Sequence, residues 1–258
     1  MDIYQHFRKE EEPFIDQVVF WKEQVERNYI PKLTDFLDPR EQQILQMVIG
    51  EQNEVIKLLA SGGYRHAERK RMIIAPFYEE VEEEDFQLSL LEATYEKKFI
   101  TLTHRDVMGA FLSLGIKREK LGDIFVEGGL IQMIVAKEIS SYVMMNLTSV
   151  KNAKTTFHEK DFEQIRIPEP NWVESNQTVS SLRLDNVIKE IYRMSRKDAQ
   201  MAVEKQLVKV NHKIVEDSKF QIEEGDLLSV RGKGRSKLIK IEGQTRKDKF
   251  RIRTAILK

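Results

Sequence analysis

The spacing of the apolar residues changes along this chain and divides it into three blocks. In the first block, 1–74, apolar residues recur at steps of three and four, as on one face of a helix, at Phe14, Val18, Trp21 and Val25. The sequence DPRE at 38–41 supplies an N-cap, a proline at the first helical position and an acid in the first turn, which predicts a second helix. The glycine-containing stretch 61–71 then ends the helix and adds a local basic cluster. We expect 1–74 to form a helical N-terminal region.

The second block, 75–167, alternates strand and helix signals. Strands are predicted from apolar alternation and short apolar runs, at Phe86, Leu88 and Leu90, at 99–102 and at 155–157. A Thr-x-x-Asp capping box from Thr103 to Asp106 begins a helix, and the sequence EGG at 127–129 joins two strands in a hairpin. A further helix follows, with an inward face at Ile139, Tyr142 and Val143. This order predicts a two-layer sandwich of the ferredoxin or RRM-like kind.

The third block, 182–258, follows a proline-containing, apolar-poor segment at 168–181 that we interpret as a linker. One amphipathic helix begins near Asp185, and a second is capped by Ser195, with Asp198 completing a capping box. Two short hairpins and a basic, glycine-rich loop follow. The three blocks together predict an α+β protein.

The charges of the chain are divided unevenly between its two ends. The chain has 42 basic and 42 acidic side chains, but 182–258 contains 20 basic and 11 acidic ones. The first 181 residues therefore hold 22 basic and 31 acidic side chains. Such a division indicates that the third block alone contacts a nucleic acid or another anionic surface.

Several kinds of chemistry lack the residues that they need. The chain has no cysteine, and its five histidines form no i, i+4 pair, so a metal site is not indicated. The HRD sequence at 104–106 lacks the downstream asparagine of a kinase loop, and glycine-rich phosphate loops are missing. The RLD sequence at 183–185 resembles the aspartate motif of pseudouridine synthases, but here it opens a helix. We expect a noncatalytic, cytoplasmic protein without a cofactor or metal, although dispersed catalytic carboxylates stay open.

The helix that starts after Ser195 has two cations in its first turn. Arg196 and Lys197 are repelled by the partial positive charge of the helix N-terminus, which costs a few tenths of a kcal/mol for each residue. A bound phosphate would resolve the conflict, because the amides of the first turn also favour an anion. The alternative is a solvated helix start with two ordinary surface charges.

The surrounding residues favour the phosphate interpretation. Two short helices against a small sheet would carry a cationic rim, which is typical of a protein that reads an RNA backbone. We predict that RNA is bound by Arg183, Ser195, Arg196, Lys197, Gln200, Lys205, Asn211, Lys213, Arg231, Lys233 and Arg235.

The stretch from Leu182 to about Lys240 resembles an S4 RNA-binding domain, an αL-like fold. The family pattern is matched by RLD at 183–185, Ser195 with Arg196 and Ala199, Val210 with Asn211, and VRGKGR at 230–235. Two glycines of the pattern are replaced by Gln206 and His212. Both positions ask a residue with a side chain to adopt a positive φ, at roughly 1 kcal/mol each.

Nearly the whole chain is similar to the bacterial YlmH family, also called RqcP. The similarity is carried by DPREQQIL, GGYRHAERKR, THRDVMGAFLSLGIKREKLGDI and the C-terminal position of the S4 domain. It implies a factor that binds obstructed large ribosomal subunits carrying peptidyl-tRNA and assists the tailing of stalled chains in ribosome-associated quality control. The implied partners are ribosomal RNA, tRNA and other quality-control factors, with no membrane and no DNA.

Two further sets of cations are secondary candidates for RNA contacts. The family's middle RNA-binding domain implies a contact by Arg105, Lys117, Arg118 and Lys120, whereas the alternative is that they solvate helix ends. Near the C-terminus, cations alternate with apolar residues, which predicts a strand that extends the S4 sheet and bears Lys247, Lys249 and Arg251. An RNA-modifying enzyme and a cell-division interaction protein remain the competing hypotheses for the whole chain.

Overall fold

The computed structural model describes Tyr4, residues 7–50 and residues 54–257. The chain forms two compact units, Met1–Pro168 and Glu169–Lys258. None of the helices in the described ranges combines the length and the apolar character that crossing a bilayer requires.

The N-terminal part of the first unit combines two helices with a small sheet. Its elements are α1 (Glu12–Asn28), β1 (Lys32–Leu33), α2 (Pro39–Ile49), β2 (Ile56–Ser61) and β3 (Arg71–Pro76). The predicted start of α2 is confirmed, because Asp38 accepts from the amides of Arg40 and Glu41 and the Glu41 carboxylate accepts from the Asp38 amide. The antiparallel sheet β1-β3-β2 is absent from the sequence-based prediction. All six residues of β3 are buried, and periodicity cannot distinguish a short buried strand from a buried helical segment.

The middle part of the first unit has the predicted sandwich. It contains β4 (Leu88–Thr94), α3 (His104–Leu112), β5 (Leu121–Glu127), β6 (Leu130–Ala136), α4 (Lys137–Asn146), β7 (Ser149–Val150), β8 (Ala153–Lys154) and β9 (His158–Lys160). Four of the strands form an antiparallel sheet in the order β5-β6-β4-β9, and β7 pairs with β8. In the four-stranded sheet, β6 lies between β4 and β5, as in a split βαβ fold.

Three local predictions for this part are wrong. The segment 99–102 is not a strand, because Phe99 ends a turn in which its amide donates to the Glu96 carbonyl. Tyr142 is 47% exposed instead of facing inward. The final strand is β9, which begins directly after the predicted segment 155–157. Phe157, the residue before β9, is buried in the core.

Both faces of the four-stranded sheet are covered. On one face, Leu91 and Met133 share a core with Val107 and Phe111 of α3 and with Val143 of α4. On the other face, a second cluster joins residues of β4 and β6 to the N-terminal part, through Leu90, Ile134, Ala136 and Phe36. The surface that an RRM-like sheet leaves open for RNA is therefore buried in this protein.

The second unit is a six-stranded sheet with two helices. Its elements are β10 (Trp172–Val179), α5 (Leu184–Tyr192), α6 (Arg196–Glu204), β11 (Val208–Val210), β12 (Lys213–Ile214), β13 (Leu227–Val230), β14 (Gly234–Gln244) and β15 (Phe250–Leu257). The strands are antiparallel in the order β10-β15-β14-β13-β11-β12. The helices pack on the sheet through one apolar core that contains Val187, Ile191, Val203, Leu228 and Ile252.

Of the two sequence predictions for the segments that form β15 and β10, the first is confirmed and the second is wrong. The C-terminal strand is confirmed as β15, which lies between β14 and β10 with Ile252 buried and Arg251 exposed. The segment 168–181 is not a simple linker, because it contains β10, which pairs with β15 over eight residues. Most residues of β10 are exposed, so the strand lacks the apolar alternation that would reveal it in the sequence.

Candidate RNA-binding surface

The start of α6 is capped mainly as the sequence predicts. The Ser195 hydroxyl oxygen accepts from the Asp198 amide (3.1 Å). The Asp198 carboxylate accepts from the Ser195 hydroxyl (2.7 Å) instead of its backbone amide, so the predicted capping box is only half formed. The cap fixes the direction in which the first turn of α6 leaves the surface.

Arg196 and Lys197 lie exposed in this first turn. The Arg196 side chain is 60% exposed, and its Nε lies 3.9 Å from the Asp185 carboxylate. At that distance and exposure an ion pair contributes about 0–1 kcal/mol, so it orients the guanidinium without engaging it fully. The arrangement leaves two cations beside first-turn amides, which is a suitable site for a phosphate.

Asp185 is the buried centre of this region. Its carboxylate has no exposed surface and accepts two hydrogen bonds from Arg183, at 3.0 and 2.7 Å, and one from Gln200 at 3.2 Å. A buried carboxylate requires such partners, because an unpaired one would cost several kcal/mol. The Gln200 contact joins α6 to the start of α5, whereas the two Arg183 contacts lie within the start of α5. Arg183 and Gln200 thus already donate to Asp185, and their predicted contacts with RNA stay a prediction.

The start of β14, after the glycine-rich turn that follows β13, is anchored to the end of α5. The Tyr192 hydroxyl, at the end of α5, is 3.1 Å from the Gly234 carbonyl and 3.0 Å from the Ser236 hydroxyl. Burial raises the pKa of Tyr192 above its ordinary value. Arg231 and Lys233 are exposed in this turn. Sequence reasoning missed Tyr192 as the anchor, because a tyrosine at the end of an amphipathic helix carries no distinctive signal.

A further contact brings Arg231 close to the end of α6. The Arg231 amide donates to the Leu207 carbonyl (2.9 Å), two residues after the exposed Lys205. Lys213 is also exposed, on β12. The β13–β14 turn therefore contacts the segment that follows α6. Exposed cations lie on α6, just after it and in this turn: Arg196, Lys197, Lys205, Arg231 and Lys233.

The turn after β11 uses its polar side chain inside the fold. Asn211 donates to the Asp226 carboxylate (2.7 Å) and accepts from the Leu227 amide (2.9 Å). Its amide group is thus engaged in holding β13, although the sequence pattern predicts an RNA contact. The expected positive φ values are confirmed, at 58° for Gln206 and 69° for His212.

The secondary candidates divide into exposed and engaged side chains. Arg105 and Lys117 are exposed. Arg118 donates to the Leu121 carbonyl, and burial, followed by repulsion from Arg69, lowers its pKa to about 10. Lys120 pairs with Asp35 (2.6 Å) and Glu138 (2.8 Å). Arg118 and Lys120 thus already have partners inside the protein, and their contacts with RNA stay a prediction.

The C-terminal candidates lie at the β14–β15 hairpin. Lys247 and Lys249 are exposed in its turn, which is closed by a 2.7 Å bond from the Thr245 amide to the Lys249 carbonyl. Arg251 is exposed on β15. In the described ranges, no group of three or more His, Asp or Glu side chains is arranged to hold a metal ion.

The helix pair, the sheet and the exposed cations define an S4-type RNA-binding protein, and a family model described as "S4 domain" matches residues 182–228. Models described as "YlmH, N-terminal" and "Putative RNA-binding domain in YlmH" match 10–79 and 81–164. The "Ribosome-associated protein quality control protein P2" of Bacillus subtilis (strain 168) is 46% identical over 251 residues, covering 97% of each chain. The chain therefore belongs to the YlmH family.

A solved structure is also similar. It is the "Cell division protein ylmH from Streptococcus pneumoniae", with 31% identity and a TM-score of 0.54. The match covers 63% of this chain and 99% of that one.

Proposed function

We propose that this protein is a noncatalytic RNA-binding factor of the cytoplasm that binds the large ribosomal subunit and its peptidyl-tRNA. In this role it assists the tailing of stalled nascent chains in ribosome-associated quality control. The name of the Bacillus subtilis relative supports the pathway. Two matched models, for the S4 domain and for the middle region, support an RNA ligand.

The observation that carries the proposal is the start of α6. Two exposed cations, Arg196 and Lys197, lie in its first turn, and a buried Asp185 holds the helix and orients Arg196. Contacts of this kind recognise phosphates and the shape of folded RNA instead of its sequence. Ribosomal RNA and tRNA are ligands of that kind.

Sedimentation of cell extract tests the proposal. Tagged wild-type protein should migrate with large-subunit fractions, and the double variant Arg196→Ala, Lys197→Ala should remain at the top of the gradient. Lys9→Ala with Arg27→Ala removes two exposed cations from the first unit and should leave sedimentation unchanged. Both the wild-type protein and the S4 variant staying at the top, under conditions that preserve stalled subunits, would contradict the proposal.

The similar Streptococcus pneumoniae structure is named as a cell division protein, which favours a second candidate function, cell division through protein contacts. That function predicts partners that remain bound after nuclease treatment. The ribosomal function predicts that nuclease releases the protein from its heavy complexes.

A further inference from the structure

Phe99 is more exposed than any other large apolar side chain in the described part of the protein, at 87%. It lies on the turn between β4 and α3, directly after Lys97 and Lys98, which are also exposed. A ring left in water contributes none of the free energy that its burial would give. The combination is typical of sites where a base stacks on a ring and cations contact the flanking phosphates.

The turn is anchored on both sides. Before it, the Tyr95 amide donates to the Gly129 carbonyl (2.8 Å), which fastens the chain to the β5–β6 hairpin. The approach is close, because a Cβ at Gly129 would lie 3.0 Å from the Tyr95 carbonyl oxygen. After the turn, Leu102 is buried in the core beneath α3. The fold therefore holds the backbone on either side of Phe99 while the ring faces solvent.

The sheet face on which an RRM-like domain would bind bases is covered here, so a base would have to be bound elsewhere, as on the turn that carries Phe99. RRM-like domains stack bases on aromatic side chains of the open sheet face. Here that face packs against Phe36 of the N-terminal part through Leu90 and Ile134, which have no exposed surface. Any base stacking by the middle part of the first unit must use a different aromatic side chain, and Phe99 is exposed and directly preceded by two lysines.

We propose that Phe99 stacks on an unpaired base of RNA while Lys97 and Lys98 contact the neighbouring phosphates. The inference rests on the proposed function, since it assumes that the protein binds RNA, and it adds a single-stranded contact to the backbone contact of α6. The acidic Glu96 begins the turn, but the two lysines that follow it leave the turn with a net positive charge.

Binding of two labelled RNAs by the full chain tests the inference. One probe is a blunt RNA hairpin, and the other is the same hairpin with a short single-stranded uridine extension. The wild-type protein should prefer the extended hairpin by about tenfold, within the range expected for one stacked base. Phe99→Ala should lose this preference, whereas Phe99→Trp should keep it and show fluorescence quenching on binding.

Two control variants separate stacking from a general apolar contact. Phe99→Leu keeps an apolar side chain without a planar ring and should behave as Phe99→Ala does. Met145→Ala removes another highly exposed apolar side chain, at 71%, and should leave both affinities unchanged. Retained preference in Phe99→Ala, or equal preference in Phe99→Leu and Phe99→Trp, would overturn the inference.

The design also distinguishes this inference from the proposed function. If the wild-type protein binds neither hairpin, both fail. If it binds the blunt hairpin, loses that binding in Arg196→Ala with Lys197→Ala, and keeps its preference for the extension in Phe99→Ala, only the stacking site fails. A Phe99→Ala variant that binds both RNAs normally but sediments poorly with large subunits would also overturn it, and would assign Phe99 to a protein contact.

Discussion

Arg71 in the first unit and Arg196 in the second both lie within reach of a carboxylate, yet their side chains are 6% and 60% exposed. Arg71 donates to the Thr34 carbonyl (2.8 Å) and the Gln87 carbonyl (3.0 Å), so it connects the N-terminal part to the middle part. Arg196 has one long contact, to Asp185, and otherwise faces solvent. An arginine thus stabilises the fold in the first unit, and an arginine in the second unit is a candidate contact for a ligand.

The difference shows that a cluster of cations in a sequence does not locate a binding surface. The basic stretch 61–71 belongs to the acidic half of the chain, and two of its arginines, Arg69 and Arg71, are turned inward. Arg69 donates to the Phe36 and Leu121 carbonyls, as Arg71 does to those of Thr34 and Gln87. In the second unit, the geometry around the buried Asp185 leaves the cations of α6 in solvent. The number of hydrogen bonds that each guanidinium already makes separates the two roles.

Loss of Arg71 should give the largest effect on stability. In Arg71→Met, the Thr34 and Gln87 carbonyls lose their donor inside the protein, and we expect a loss of about 3–5 kcal/mol in the free energy of unfolding. Urea denaturation followed by circular dichroism measures it. Arg65→Met, in the same stretch but exposed, should change stability by less than about 0.5 kcal/mol. A loss of similar size in both variants would remove the distinction.

Replacement of the buried Asp185 should have the next largest effect. Asp185→Asn keeps the shape but leaves the Arg183 guanidinium without its anion. Since Arg183 is partly exposed, we expect a smaller loss of about 2 kcal/mol. Asp198→Asn, at the exposed cap of α6, is the matched control and should cost less than about 1 kcal/mol. Equal costs would mean that Asp185 does not organise the surface.

Replacement of Gln206 by glycine should change the stability of the protein without changing its affinity for RNA. Gln206 has a φ of 58°, so Gln206→Gly should stabilise the protein by up to about 1 kcal/mol without changing RNA affinity. Glu204→Gly, at the last residue of α6, should instead destabilise by less than about 1 kcal/mol. Thermal unfolding and an RNA-binding assay on both variants check the pair. A change in affinity for Gln206→Gly would link the turn to the RNA surface.

The smallest effect concerns Asp106 of the first unit, whose carboxylate forms an ion pair with the exposed Lys151. Hydrogen bonds from Lys151 and Thr103 lower the pKa of Asp106 to about 2. Because the pKa of Asp106 is lower in the folded than in the unfolded protein, the ionised carboxylate stabilises the fold at pH values above the unfolded-state pKa. This stabilisation is lost as the pH falls through about 2. Carboxyl NMR titration should detect this pKa, and Lys151→Ala should raise it. An unchanged pKa in the variant would show that Lys151 does not hold Asp106.

Local signals in the sequence predict much of the fold and part of the site. The α2 cap at Asp38, the hairpin at Gly128 and the S4 helices depend on residues close together in the chain, and they form as expected. The strand β10 escapes prediction because its partner β15 lies far along the chain and most of its side chains are polar and exposed.

Prediction of the site is limited by the same physical cause. The positions of Arg196 and Lys197 follow from the local cap. The commitment of Arg183 to Asp185, and of Lys120 to Asp35 and Glu138, depends on burial and on distant neighbours. A sequence gives the number of cations directly, but their exposure is a property of the packed fold.

The salt dependence of RNA affinity tests the central claim, that the start of α6 binds the RNA backbone, most directly. The affinity of the purified full chain for the blunt RNA hairpin is measured over a range of salt concentrations, for the wild-type protein and for Arg196→Ala with Lys197→Ala. Two lost phosphate contacts should reduce the slope of log K against log salt by about 1.5 to 2, with unchanged stability. Identical slopes and affinities for the two proteins would contradict the claim.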